Sequence, residues 1–138
     1  MTMSIKVTLD TNVLISAFFW EGESYRVMMK CKEGKAELVL SEDILDEFKE
    51  VLRKEKKFCQ TEESIERHLK VLRSVAAIVS PTERVNAIKE DEMDNRIIEC
   101  AIAGGASYLV TKDRHLLKLK KYKNVEIVTP REFLSLFS

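Results

Sequence analysis

The stretch "KVTLDTNVLISAFFW", residues 6–20, decides the fold because it reads as a buried strand that runs directly into a buried helix. It is apolar almost throughout, apart from the polar triplet Asp10, Thr11 and Asn12 near its middle. A carboxylate in such a setting is costly unless another group stabilises its charge. Asp10 is therefore expected to face a partner that the sequence must supply or bind elsewhere.

Short β-rich runs alternate with helical patterns along the rest of the chain. Strands are predicted at residues 5–9, 37–40, 77–80, 108–111 and 125–129. Helices are predicted at residues 12–20, 24–33, 42–54, 62–74, 94–103 and 114–120, with a last one beginning at Pro130. This alternation favours a parallel sheet covered by helices on both faces, and the strands are apolar enough to be doubly covered. The prediction is an α/β fold, with residues 1–138 forming one three-layer α/β/α domain around five strands.

Composition limits the functions that need to be considered. The chain has 138 residues, and its 23 basic and 23 acidic side chains give a net charge of zero. No global field therefore draws it to nucleic acid or to a membrane, so polyanion binding would need a local patch. No apolar run approaches 18 residues and no signal peptide precedes Lys6, so no membrane association is expected.

Cysteine usage bears on metal binding and on the cellular compartment. Cys31, Cys59 and Cys100 are widely spaced, no C-x-x-C occurs, and the two histidines lie far apart. A structural zinc site is therefore disfavoured. Reduced thiols in a cytoplasm are the simplest interpretation.

Four acids are predicted to meet at one edge of the sheet. In a parallel sheet with right-handed crossovers, the carboxyl ends of the strands share one edge with the amino ends of the following helices. Asp10 follows the first strand, Asp113 follows the fourth by two residues, and Asp94 lies in the first turn of the helix leading to that strand. Glu47 borders the apolar stripe of its helix, so it points along the same edge.

A cluster of carboxylates repels itself, so a cation is expected to occupy it. Oxygen ligands without cysteine or histidine select Mg²⁺ or Mn²⁺. Such ions can hold a phosphodiester and activate a water for attack on it. The chemistry expected is metal-dependent phosphodiester hydrolysis.

Four segments in this order resemble a known family. They are "LDTNVLIS", "SEDILDEFKEVL", "DEMDNRIIECAIAGGASYLVTKDRHLL" and "VEIVTPREFL". Together they cover nearly the whole chain and resemble the PIN domain, most closely the prokaryotic branch of toxins from toxin–antitoxin pairs. The resemblance implies strand order 3-2-1-4-5, a Mg²⁺ or Mn²⁺ ribonuclease acting on RNA, and an antitoxin protein as partner. It also implies four metal ligands, Asp10, Glu47, Asp94 and Asp113.

The resemblance assigns supporting roles to three other residues. Asn12 and Thr111 would orient the ligating carboxylates. Asp91 stands where relatives often begin D-P-D-D-N, but this chain has Met93 at the third place. A peripheral ligand is therefore expected to be missing, and Asp91 suits a helix cap better than a ligand.

Other interpretations of these residues stay open. Asp10 could simply cap the following helix. A phosphoacceptor fold also places an aspartate after a strand, but a phosphatase of that kind needs a second aspartate where Asn12 stands. A dinucleotide-binding fold is disfavoured because no G-x-G-x-x-G follows the first strand. A catalytically inactive PIN fold that binds RNA or assembles with other proteins is the main alternative.

A histidine, a basic run and a group of aromatic residues are further candidates for functional roles. His115 is adjacent to the Asp113 loop but is expected to be incidental rather than a general base. The basic run at residues 118–123 is a candidate contact for RNA phosphates. The helix that ends near Trp20 has more apolar residues than one helix face needs. Phe18, Phe19 and Trp20 are therefore expected to belong to the core or to form the interface of a homodimer.

Overall fold

The computed structural model describes residues 5–137, whose strands form one six-stranded sheet. The strands are β1 (Ile5–Leu9), β2 (Ala36–Ser41), β3 (Ala77–Val79), β4 (Tyr108–Val110), β5 (Lys121–Tyr122) and β6 (Val125–Val128). Their order across the sheet is β3-β2-β1-β4-β6-β5, and every neighbouring pair is parallel except β5 with β6. The predicted α/β fold and the predicted order of the five longer strands are confirmed.

The predicted number of strands was wrong by one. The extra strand, β5, has only two residues and forms an antiparallel hairpin with β6. Lys123 begins the two-residue turn between them and has a φ of 52°, the left-handed conformation that such hairpin turns require. Two residues within a lysine-rich run are too few to show the alternation that predicts a strand.

Seven α-helices surround this sheet within the described part of the chain. They are α1 (Thr11–Phe19), α2 (Glu23–Lys32), α3 (Glu42–Lys54), α4 (Glu62–Val75), α5 (Glu92–Ala103), α6 (Arg114–Leu117) and α7 (Pro130–Leu134), with 3₁₀ turns at Lys56–Phe58 and Ser135–Phe137. Helix α6 ends at Leu117 and is shorter than the predicted 114–120; the chain then turns toward β5 with Lys120 at a φ of 61°. Between residues 5 and 137, no helix is long and apolar enough to cross a bilayer.

Helix α5 is fixed at both ends, which matters because it carries Asp94. Its N-cap, Asp91, accepts a hydrogen bond from the Met93 amide at 2.9 Å. At its other end the chain passes so close to β2 that a Cβ on Gly104 would lie 2.0 Å from Cγ1 of Val39. Only glycine fits there, and Gly105 follows with the φ of 67° that terminates the helix.

Candidate functional site

The acids lie at the carboxyl edge of the sheet, where β1 and β4 end side by side. These strands are parallel neighbours, with Leu9 opposite Val110. The backbone N–H of Asp10 continues the pairing by donating to the Val110 carbonyl at 3.1 Å. The residues that follow the two strands therefore emerge next to each other, as the parallel-sheet argument predicted.

Asp10 is both a helix cap and a member of the acidic group. It is buried, and its Oδ1 accepts a hydrogen bond from the Val13 amide at 2.8 Å, which caps α1. Its Oδ2 accepts a hydrogen bond from the Thr111 hydroxyl. Burial raises the pKa of Asp10 to about 6 even though both hydrogen bonds favour the charged form. The capping interpretation therefore accounts for Oδ1 of Asp10 but not for Oδ2, which contacts Thr111 after β4.

Asp94 is the most perturbed acid at this edge. Only 5% of it is exposed, and its Oδ2 is a buried oxygen without a hydrogen-bond partner in the described chain. Burial raises its pKa to about 7, and the charges of Asp113, Asp91 and Asp10 add to that effect. Buried carboxylate oxygens normally have a partner. An unpartnered oxygen surrounded by other acids is where a cation would be stabilised.

Asp113 and Glu47 complete the group from the loop after β4 and from α3. Asp113 is half-buried, and its Oδ1 caps α6 by accepting from the His115 amide at 2.7 Å. Glu47 is also half-buried, and burial raises its pKa together with the charges of Asp91 and Asp10. All four predicted acids are therefore close enough to influence another acid of the set electrostatically.

The structure does not bring these acids into a finished metal-binding arrangement. Across residues 5–137, no three acidic, histidine or cysteine side chains are grouped so that they could hold an ion. Asn12 is exposed and makes no side-chain hydrogen bond to any of the acids in that range, so its orienting role stays a prediction. Asp91 is exposed and acts as the cap of α5. His115 is exposed too, with Nδ1 3.9 Å from Oε1 of Glu90.

The residues at this edge nevertheless fit a divalent cation. The donors are carboxylate oxygens only, which matches the preference of Mg²⁺ and Mn²⁺. The Oδ2 of Asp94 has no hydrogen-bond partner among the described residues, and the charges of Asp113, Asp91 and Asp10 add to the effect of burial in raising the pKa of Asp94. Four like charges repel one another, so a closer approach of the side chains would accompany ion binding.

Two buried polar residues of α5 were missed by the sequence analysis. Asn95 is fully buried, and its Oδ1 accepts from the amides of Ala87 and Ile88 at 3.0 and 2.8 Å. Glu99 accepts from the Val85 amide at 2.8 Å. Asn95 and Glu99 hold in place the segment that leads to Asp91 and Asp94. Because they are four residues apart, the sequence could have indicated that both lie on the same face of α5.

A cavity of about 730 Å³ lies away from the acids. Its lining includes Lys6, Ala36 and Ala77, which begin or lie near the beginning of β1, β2 and β3. It is therefore at the amino edge of the sheet, opposite the acids, and none of the four predicted acids lines it.

Comparison with known proteins identifies the family. The PIN domain model matches residues 6–115. A Methanocaldococcus jannaschii protein named "Uncharacterized protein MJ1680" is 32% identical over 146 aligned positions, which cover 98% of this chain and 93% of that protein.

Three solved structures share the fold at lower identity. VapBC2 from Rickettsia felis, bound to a DNA fragment from their promoter, has a TM-score of 0.61 at 19% identity and covers 89% of this chain and 97% of its own. PAE2754 from Pyrobaculum aerophilum has a TM-score of 0.62 at 19% identity, with coverages of 99% and 92%. The PIN domain of RRP44 from T. brucei has a TM-score of 0.55 at 15% identity, with coverages of 98% and 82%. The family match and the fold agree that this chain belongs to the PIN domain family.

Proposed function

We propose that this chain is an endoribonuclease that uses Mg²⁺ or Mn²⁺ to hydrolyse RNA phosphodiester bonds at Asp10, Glu47, Asp94 and Asp113. The observation that carries the proposal is the buried, unpartnered Oδ2 of Asp94 within a group of carboxylates. A purely structural acid would have a hydrogen-bond partner at that depth. Membership of the PIN family supports the same chemistry.

The four acids differ in burial, and their proposed roles differ accordingly. Asp10 and Asp94 are buried and would hold the ion from the protein side, while the half-buried Glu47 and Asp113 would hold it from the side that faces solvent. Thr111 keeps Asp10 oriented through its hydroxyl. Bound Mg²⁺ or Mn²⁺ supplies a water of lowered pKa and offsets the charge of the phosphate. No histidine is needed as a base in this scheme.

The direct test is cleavage of RNA by wild type, Asp94→Asn and a matched control, Asp46→Asn. Asp46 is an exposed aspartate on α3, so its change removes the same charge outside the acidic group. Single-stranded and structured RNA are incubated with Mg²⁺, Mn²⁺ or EDTA. Wild type and Asp46→Asn should cleave only with metal, and Asp94→Asn should lose at least about a hundredfold in rate. Cleavage in EDTA, or equal cleavage by Asp94→Asn, would reject the proposal.

A catalytically inactive PIN fold that binds RNA or assembles with proteins is the second candidate. The absence of a ready-made metal arrangement among residues 5–137 favours it. The two candidates differ in their response to Mn²⁺. An inactive module would bind RNA equally with Mn²⁺ and with EDTA and would leave the RNA intact in both.

The similarity to a VapBC2 complex supports a toxin role, with an antitoxin protein as partner. Such a toxin would act in the cytoplasm on cellular RNA. Expression of wild type should then arrest growth of a bacterial host, while Asp94→Asn expressed to the same level should not. Normal growth with active wild-type enzyme would remove the toxin role and leave the nuclease.

The homodimer expected from the sequence stays a prediction. Trp20 is 55% exposed, whereas Phe18 and Phe19 are half-buried and pack against rings of the same chain, with centroid distances of 4.8 Å from Phe18 to His68 and 4.9 Å from Phe19 to Phe58. The exposed apolar surface is therefore smaller than the sequence indicated. Light scattering at micromolar concentration tests the dimer, and a monomer mass would contradict it.

A further inference from the structure

A small cavity of about 130 Å³ lies beside the acidic edge, between the end of α1, the start of α2 and the loop after β4. Its lining consists of Ser16, Trp20, Gly22, Glu23, Ser24, Tyr25 and Lys112. None of these residues belongs to the proposed metal site. The cavity combines three features that suit a phosphate group.

The first feature is the amino end of α2. This helix has ten residues, and its N-cap, Gly22, has no side chain to accept a hydrogen bond from the first turn. The leading amides of a helix have no partner within the helix, and together with the helix dipole they favour an anion. An acceptor from outside the chain is therefore accommodated here.

The second feature is the Ser24 hydroxyl in that first turn. Ser24 is 3% exposed, and its Oγ has no hydrogen-bond partner in the described part of the chain. A buried hydroxyl without a partner is unfavourable, so it calls for an explanation. A bound phosphate oxygen would supply the missing partner.

The third feature is positive charge on the opposite wall. Lys112 is exposed and contributes its side chain to the lining. Glu23 is the acid among the lining residues, and it is paired with Arg131 at 2.8 Å, which offsets its charge. The charge of Lys112 also acts on Glu23 and on Asp10. An anion that enters the cavity would meet this charge as well.

The cavity is continuous with the acidic edge along two segments. Lys112 lies between Thr111 and Asp113 in the loop after β4. Ser16 follows Asp10 by six residues on α1, a rise of roughly 9 Å along the helix. A strand of RNA with one phosphate at the acids can therefore extend a neighbouring phosphate toward this cavity.

We propose that the cavity binds a backbone phosphate of the RNA strand next to the one that is cleaved, through the α2 amides, the Ser24 hydroxyl and Lys112. This subsite rests on the proposed ribonuclease function. Trp20 lies at the rim with more than half of its surface exposed, where a flanking unpaired base can stack on it.

The test uses Trp20, the single tryptophan of the chain, as a fluorescent reporter inside the proposed subsite. A short single-stranded RNA is titrated into the full chain in EDTA, so that binding is measured without cleavage. The variants are Lys112→Gln and Ser24→Ala, with Lys70→Gln as the matched control because Lys70 is an exposed lysine on α4. Ser24→Ala removes only an unpartnered hydroxyl, so it should fold as wild type does.

Wild type and Lys70→Gln should show the same fluorescence change and affinity. Lys112→Gln and Ser24→Ala should bind about tenfold more weakly. Lys112→Gln should also make the slope of log affinity against log salt shallower by about 0.7, as expected for one lost phosphate contact with a single strand. Inorganic phosphate added to the RNA complex should displace the RNA only at high concentration.

Equal affinity of all four proteins would overturn the subsite, and so would a fluorescence change with inorganic phosphate but none with RNA. Cleavage by wild type with Mn²⁺ is measured in parallel. Normal cleavage with unaltered binding by the variants rejects only the subsite. Weakened binding by both variants without any cleavage rejects the nuclease and leaves a phosphate-binding site for RNA.

Discussion

Thr111 donates a hydrogen bond from its hydroxyl to Oδ2 of Asp10, 101 residues away in the sequence. The same oxygen of Thr111 accepts a hydrogen bond from the Asp113 amide at 2.9 Å. One fully buried threonine thus ties the acid after β1 to the loop that carries the acid after β4. The geometry of the proposed site depends on this link.

Replacing Thr111 by valine keeps the shape of the side chain and removes the hydroxyl. We expect a loss of about 1–3 kcal/mol in the free energy of unfolding, because Oδ2 of Asp10 would be left buried without its partner. The pKa of Asp10 should rise further above about 6, since the hydrogen bond from Thr111 favours the charged form. Urea unfolding at pH 7 measures the first effect. Thr111→Ser, which keeps a hydroxyl, should recover most of the loss, and a valine variant as stable as wild type contradicts the link.

The metal-free protein should lose stability as the pH rises from about 4 to about 7. The pKa values of Asp10 and Asp94 are raised to about 6 and about 7, so between these values and the ordinary 3.8 the folded state binds more protons than the unfolded state. The contribution of a raised carboxyl pKa to stability is therefore full below about pH 4 and is lost as the pH passes the folded pKa. The two shifts together correspond to a loss of several kcal/mol.

Comparison with Asp94→Asn isolates this effect from the other titrating groups. The difference in unfolding free energy between the variant and wild type should increasingly favour the variant from pH 4 to pH 8 in EDTA. Asp46→Asn should show no such trend, because Asp46 is exposed. A pH-independent difference for Asp94→Asn would mean that Asp94 is not held at a raised pKa.

Asn95 should be required for the position of the segment before Asp91. Its three hydrogen bonds to Ala87 and Ile88 would be lost in Asn95→Ala, leaving buried backbone groups unpaired. We expect a loss of about 2–3 kcal/mol and faster amide exchange at Ala87 and Ile88. Asn86→Ala is the control, since Asn86 is exposed in the same segment and should change stability by less than about 0.5 kcal/mol. Unchanged exchange in Asn95→Ala contradicts the anchoring role.

The features that the sequence predicted correctly depend on local pattern. The apolar strands and the amphipathic helices follow from periodicity within each segment, and the parallel arrangement then places the ends of β1 and β4 together. The same pattern predicts that Asp10 and Asp113 lie at one edge of the sheet. Their surroundings in the structure agree with it through the shared contacts with Thr111.

The features that the sequence did not predict depend on contacts between distant segments. From the sequence, Phe18 and Phe19 could belong to the core or to a dimer interface, and only the structure shows that His68 and Phe58 pack against them from segments 39 to 50 residues farther along the chain. The unpartnered hydroxyl of Ser24 likewise indicates a phosphate site only together with Lys112, which lines the same cavity but lies far away in the sequence. A pattern along one segment carries no information about which distant side chain covers it.

Asp113→Asn separates a metal-ligand role from a capping role. An asparagine Oδ1 can still accept from the His115 amide, so the cap of α6 is preserved. Without metal, the change also removes one of the charges that raise the pKa of Asp94, so in EDTA the variant should melt at the same temperature as wild type or higher. Mn²⁺ should stabilise wild type by binding only the folded state, and the variant should lose most of that gain.

Thermal melts of wild type, Asp113→Asn and Asp46→Asn in EDTA and in Mn²⁺ measure both effects. If Asp113→Asn melts clearly lower in EDTA yet gains as much from Mn²⁺ as the other two proteins, Asp113 is a structural residue and not a ligand.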